Sequence, residues 1–205
     1  MNFEELKELN LSWNKISDIN ILEKLNFKKL KKLNLHTNRI KDINSLEKVN
    51  FNELKELNCR DNKISDINIL SKVNFNELKN LNLYDNNISD IKVLEKVKFE
   101  KLEKLYLGSN KISNNINILE NVNFKELKEL NLSINNILDI KVSEKVKFEK
   151  LEKLNLEYNK ISDINILKNV NFKELKELNL YDNEINEDEN TFMIIRLKSK
   201  FNIII

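Results

Sequence analysis

Residues 27–50 read FKKLKKLNLHTNRIKDINSLEKVN, and residues 51–74 read FNELKELNCRDNKISDINILSKVN. Laid over one another they place Phe27 on Phe51, Leu30 on Leu54, Leu33 on Leu57, Asn38 on Asn62, Ile40 on Ile64 and Leu46 on Leu70. Outward in both directions the pattern continues: Phe3, Phe27, Phe51, Phe75, Phe99, Phe124, Phe148 and Phe172 recur at steps of 24, with one step of 25 where Asn114 or Asn115 is inserted. A fixed period of this length marks a supersecondary unit that cannot bury its apolar side alone. Stacked neighbours must share one core.

Inside each unit the spacing changes once. Leu9-x-Leu11 alternates with polar neighbours, which predicts a short strand with Leu9 and Leu11 facing inward and Glu8, Asn10 and Ser12 facing outward. Equal spacing then stacks the strands as a parallel sheet, about 4.8 Å apart. With one Gly and no Pro in the chain, the turn after each strand falls to the column Asn14, Asn38, Asn62, Asn86, Asn110, Asn135, Asn159 and Asn183. An amide there can donate to and accept from backbone groups that leave the sheet unpaired. Beyond Ile16, the positions Ile19, Leu22 and Leu25 follow a helix-like spacing behind Ser17-Asp18, which predicts about two turns of helix on the outer side. Layers of unequal width predict a curved stack with the sheet on the hollow side.

The consensus LxxLxLxxNxIxxIxxL resembles the leucine-rich repeat, over residues 3 to about 185. The resemblance implies an α/β fold: a right-handed leucine-rich-repeat solenoid with a parallel β-sheet on the concave face, short helices on the convex face and a buried asparagine ladder. We expect one domain over residues 1–205, with eight repeats of about 24 residues from Phe3 and a modified half-repeat at 186–205. In that last part Thr191 to about Ser199 reads as an outer helix. Lys200-Phe201-Asn202-Ile203 aligns with Glu177-Leu178-Asn179-Leu180 and predicts a ninth strand over Lys200 to Ile205. The repeat is similar to the short repeats of bacterial internalins and of phosphatase-regulating leucine-rich-repeat proteins, which bind protein partners.

The copies serve as controls for one another. On the outer side the pairs after each Phe, from Glu4-Glu5 and Lys28-Lys29 to Lys173-Glu174, use only Glu, Lys and Asn. On the inner side the two columns after the strand read Ser12-Trp13, His36-Thr37, Arg60-Asp61, Tyr84-Asp85, Gly108-Ser109, Ser133-Ile134, Glu157-Tyr158 and Tyr181-Asp182. The only Trp, the only His and three of four Tyr fall there, and Tyr106 lies on the same strand face. Trp, Tyr and Arg are the residues that anchor protein interfaces. Trp13, His36, Arg60, Asp61, Tyr84, Asp85, Tyr106, Tyr158 and Tyr181 are therefore the expected partner contacts. Two other inner columns read as scaffold: Glu8, Lys32 and Glu56, then Lys104, Glu129, Lys153 and Glu177, alternate in sign, and Asn10 repeats as Asn34, Asn58, Asn82, Asn131, Asn155 and Asn179, broken only by Tyr106.

Other functions lose ground for concrete reasons. A net charge of +2 with interleaved signs offers no phosphate-binding stripe, so no nucleic acid is expected. One glycine builds no phosphate loop, and one histidine with one cysteine, Cys59, in a core position supplies no nucleophile–base pair. Neither enzyme activity nor a metal or cofactor is expected; Asp61 and Asp85 read as polar contacts. The most apolar stretch, 191–205, is interrupted by Arg196, Lys198 and Lys200, so no membrane span is expected. With no basic-then-apolar leader at Met1, a cytoplasmic location is the expectation. Ser143 stands at a core leucine position and reads as a weak spot. The apolar ends without a polar cover point to possible end-to-end self-association as the alternative role.

Overall fold

The computed structural model describes residues 3–113, 121–138, 148–168 and 173–205. Among the described residues, nine strands of three residues lie in chain order in one parallel sheet: β1 Glu8–Asn10, β2 Lys32–Asn34, β3 Glu56–Asn58, β4 Asn80–Asn82, β5 Lys104–Tyr106, β6 Glu129–Asn131, β7 Lys153–Asn155, β8 Glu177–Asn179 and β9 Asn202–Ile204. Each pairing follows the sequence period, as in Leu9 with Leu33 and Leu33 with Leu57. The extra residue before β6 leaves the register intact, since Leu105 still pairs with Leu130. Loop-closure entropy grows slowly with length, so one added residue between two strands costs little.

Between the sheet and the outer layer the strand leucines meet a phenylalanine column. Phe27, Phe51, Phe75, Phe99 and Phe124 are buried. Successive rings from Phe3 to Phe99 stand 5.7–6.4 Å apart, within the range of favourable aromatic contact. Phe172, the insertion at Asn114 or Asn115, and Ser143 lie outside the described residues. Cys59 fills a leucine position, fully buried, and burial pushes its thiol up to about 12, so it behaves as a small apolar side chain.

The asparagine ladder closes the backbone accounting at the turn. Asn62 Nδ2 donates to the carbonyls of Leu35 at 3.0 Å and Cys59 and Arg60 at 3.1 Å, while its Oδ1 accepts the N–H of Ile40 at 3.0 Å. One side chain thus ties its own unit to the preceding one, and the pattern repeats at Asn38, Asn86, Asn110, Asn135 and Asn159. Asn14, with no unit before it among the described residues, is exposed.

The outer layer differs from the sequence expectation. In place of two helical turns opened by Ser17-Asp18, single 3₁₀ turns span Asn20–Lys24, Asn44–Glu47, Asn68–Ser71, Lys92–Glu95 and Asn165–Lys168. Asp18 does act at the start, accepting the Asn20 N–H at 2.7 Å, and Asp42, Asp66, Asp90 and Asp163 repeat that bond. Strands set the repeat distance at about 4.8 Å, whereas packed α-helices need about 8–10 Å between axes. A tight i→i+3 turn fits the smaller step.

At the far end the outer layer becomes a true α-helix, α1 Glu187–Lys198, which starts four residues earlier than the expected Thr191. Asn186 caps it by accepting the N–H groups of Asp188 and Glu189. Asn190, Met193, Ile194 and Leu197 form its buried face. The ninth strand is present, but its register differs from the aligned one: Asn202 pairs with Glu177 and Ile203 with Leu178, so Ile203 takes the place expected of Phe201. A shift of two residues keeps every side chain on its own face, so the alternation could not distinguish the two registers.

Candidate functional site

The concave face is built from side chains that the strands must turn away from the core. Its charge column is tied along the stack: Lys32 lies 3.6 Å from Glu8 and 3.4 Å from Glu56, Lys104 lies 3.0 Å from Glu129, and Lys153 lies 2.9 Å from Glu177. Attraction from Glu56 and Glu8 holds Lys32 above the ordinary lysine range, and the hydrogen bond to Glu177 does the same for Lys153. These exposed pairs fix register more than they stabilise.

The neighbouring asparagine column has a backbone role. Asn34, Asn58, Asn82, Asn131, Asn155 and Asn179 each accept, on Oδ1, the N–H two residues ahead, at 2.9–3.1 Å. Those bonds hold the chain as it leaves the strand, which explains why the column hardly varies. Where Tyr106 replaces asparagine the ring is half-buried, and burial with a hydrogen bond to Glu129 pushes its phenol up.

Immediately beyond, every unit turns through a left-handed residue: Trp13, Thr37, Asp61, Asp85, Ser109, Ile134, Tyr158 and Asp182 have φ between 51° and 58°. Nothing in the sequence announced this, because no glycine stands there. The turn carries the rim residues outward in three groups. Trp13, 76% exposed, meets His36 edge-on at 5.4 Å between ring centroids. Arg60 places its guanidinium 5.1 Å from the centre of the Tyr84 ring. Tyr84 rests where Gly108 has no side chain: a Cβ there would stand 2.6 Å from Tyr84 Cε2. Tyr158 and Tyr181 form the third group, edge-on at 5.6 Å. Asp61 is half-buried and Asp85 exposed, the latter 3.5 Å from the Ser109 hydroxyl. Gly108 and Ser133, on the two units between the Arg60–Tyr84 and Tyr158–Tyr181 groups, are buried.

Over β6–β9 the concave surface deepens into a trough of about 250 Å³ lined by Asn131, Asn155, Asn179, Glu129, Lys153 and Glu177. Among the described residues, no three His, Cys, Asp or Glu side chains are grouped to hold a metal. No helix among them is long and apolar enough to cross a membrane.

Parallel strands at one period, the asparagine ladder and the 3₁₀ outer turns define the leucine-rich-repeat solenoid, and the chain has that fold. Models described as Leucine Rich repeats (2 copies) and Leucine Rich repeat match residues 4–48 and 149–164. No curated protein matches it. Among solved structures it is similar to internalin C2 from Listeria monocytogenes, at 24% identity and a TM-score of 0.79, over 99% of this chain and 80% of that one. A leucine-rich-repeat protein of Leptospira interrogans matches at 26% identity and a TM-score of 0.81, over 98% of this chain. This chain spans about half, 49%, of that protein's length. The plant peptide hormone receptor RGFR1, solved in complex with RGF2, shares the fold at 20% identity and a TM-score of 0.66, over 87% of this chain and 28% of that one. Leucine-rich-repeat folds commonly mediate protein–protein interaction and are in general binding modules without catalytic activity.

Proposed function

We propose that this chain recognises a protein partner through its concave sheet and rim, with Trp13, His36, Arg60, Asp61, Tyr84, Asp85, Tyr106, Tyr158 and Tyr181 making the contacts. One observation carries the reading: the only Trp, the only His and all four Tyr of the chain stand on adjoining columns of one face, while the outer columns repeat Glu, Lys and Asn. Drift alone would have varied both sides. The rim side chains are also assembled beforehand, Trp13 on His36, Arg60 on Tyr84 and Tyr158 on Tyr181, which lowers the ordering cost of association. Bulky Trp13, Ile134 and Tyr158 in left-handed conformations add strain, and strain of this kind gathers at binding sites. The reading calls for no cofactor, nucleic acid or membrane.

The test is affinity purification with mass spectrometry, comparing the wild type with a Trp13→Ala, Tyr84→Ala double variant. Loss of the captured partner is expected. Capture unchanged by both substitutions overturns the reading.

A second reading, stacking of copies end to end, is favoured by exposed apolar groups at the β9 end: Phe192 is 73% and Ile204 51% exposed. It requires a solution mass that grows with concentration.

A further inference from the structure

Two places on the concave face share a paired-amide geometry and differ at the residue two positions beyond the first asparagine of the pair. Asn58 lies across from Asn82 on β3 and β4, as Asn155 lies across from Asn179 on β7 and β8. In both pairs each Oδ1 is committed to a backbone N–H, from Arg60 and Tyr84 at 3.1 and 3.0 Å in the first and from Glu157 and Tyr181 at 2.9 and 3.0 Å in the second. That bond orients the amide and leaves Nδ2 as the donor turned away from the backbone. At β7–β8 the donors are filled from within: one carboxylate oxygen of Glu157 accepts from Asn155 Nδ2 at 3.1 Å, and the other from Asn179 Nδ2 at 2.6 Å. At β3–β4 the residue in the place of Glu157 is Arg60, which has donors and no acceptor. Among the described residues, no hydrogen bond engages Nδ2 of Asn58 or Asn82.

We infer that Asn58, Asn82 and Arg60 form a receptor for one carboxylate of an acidic side chain on the partner, bridging the two amides as Glu157 bridges the other pair. The inference rests on the concave-face reading and names its chemistry. Arg60 is exposed and steadied against Tyr84, and its backbone N–H is bonded to Asn58, so it brings a positive charge to the same strand exits as the two amides. The nearest strand carboxylate, Glu56, is engaged by Lys32 at 3.4 Å. Asp61 and Asp85 flank the place on successive turns and repel a phosphate, which carries about −1.5 to −2 charges, more than a carboxylate with one. A neutral acceptor forgoes the charge-assisted bonds.

The probe is a capped pentapeptide, Ser-Val-Glu-Val-Ser, with Gln and phosphoserine counterparts at its centre, titrated against the full chain while side-chain amide and guanidinium N–H signals are followed by NMR. The Glu peptide is expected to shift Asn58, Asn82 and Arg60 and to leave Asn155 and Asn179 in place, with the Gln peptide weaker by about tenfold. Arg60→Glu should fill the pair from within and abolish the response without lowering the melting midpoint, and Glu157→Arg should make Asn155 and Asn179 responsive. Equal response to Glu and Gln, a stronger one to phosphoserine, no response at millimolar Glu peptide, or a response that survives Arg60→Glu each overturns the site. If the peptide is ignored while the Trp13→Ala, Tyr84→Ala variant loses its partner, only the carboxylate site falls. If the peptide binds while that variant keeps its partner, the concave-face reading falls instead.

Discussion

A left-handed backbone suits asparagine, aspartate and glycine, and three of the eight turn positions here, Asp61, Asp85 and Asp182, follow that preference. Ile134 is the opposite case, a β-branched residue at φ 52° with 43% of its surface exposed. Left-handed geometry costs a residue with a Cβ about 1–2 kcal/mol, and a half-exposed side chain recovers little of that by burial. Ile134→Asn is therefore expected to raise the free energy of unfolding by about 1 kcal/mol, read as a higher urea midpoint at unchanged slope. A lower midpoint would mean that the isoleucine's contacts outweigh its strain. If the stabilised variant also loses partner capture, the strain is retained for contact. The turn itself was hidden from sequence reasoning because Trp, Thr, Asp, Ser, Ile and Tyr share the position. Their diversity marked the column as a rim, and only backbone geometry identified it as left-handed.

Elements in this chain are held in step by side chains bridging one unit to the next. Glu103, just before β5, accepts from Lys79 on one side at 2.7 Å and Lys128 on the other at 2.9 Å. The hydrogen bond from Lys79, then that from Lys128, holds its carboxyl down at about 2. A carboxyl lowered in the folded state adds stability above its unfolded value of about 4.3, and that stability fades as pH falls toward the folded value. Because the group still meets solvent, about 1 kcal/mol or less is at stake. Glu103→Gln should therefore lessen the fall in unfolding free energy between pH 6 and pH 2.5; equal losses in both proteins would show that the bridge contributes nothing. The period itself made the strands, their register and the buried asparagine and phenylalanine columns legible, because identical spacing leaves one way to stack. The outer layer was less legible, since Ile19, Leu22 and Leu25 fit an α-turn as well as a 3₁₀ turn, and the 4.8 Å step that decides between them belongs to the stack. The β9 register was missed for a related reason: α1 consumes a different length of chain, and a shift by two preserves the inward side chains.

For the molecule as a whole, the two sheet edges decide whether copies assemble. β1 and β9 each offer unpaired backbone groups on one side, with Leu9 and Ile203 half-buried at the edges, so head-to-tail addition would continue the sheet without closing. Two features oppose it. Each edge strand is three residues long, which gives a joining copy few ladder bonds against the cost of association. The outer layers also differ at the two ends: a 3₁₀ turn at Asn20–Lys24 would have to pack beside the wider α1, where Phe192 and Ile195 project into solvent. Light scattering should therefore give a mass of 24.4 kDa that does not change with concentration. A mass that grows on concentration, and returns to one chain in an Ile204→Lys variant with an unchanged melting midpoint, would instead establish stacking through β9, since a lysine on an edge strand blocks pairing without disturbing the core.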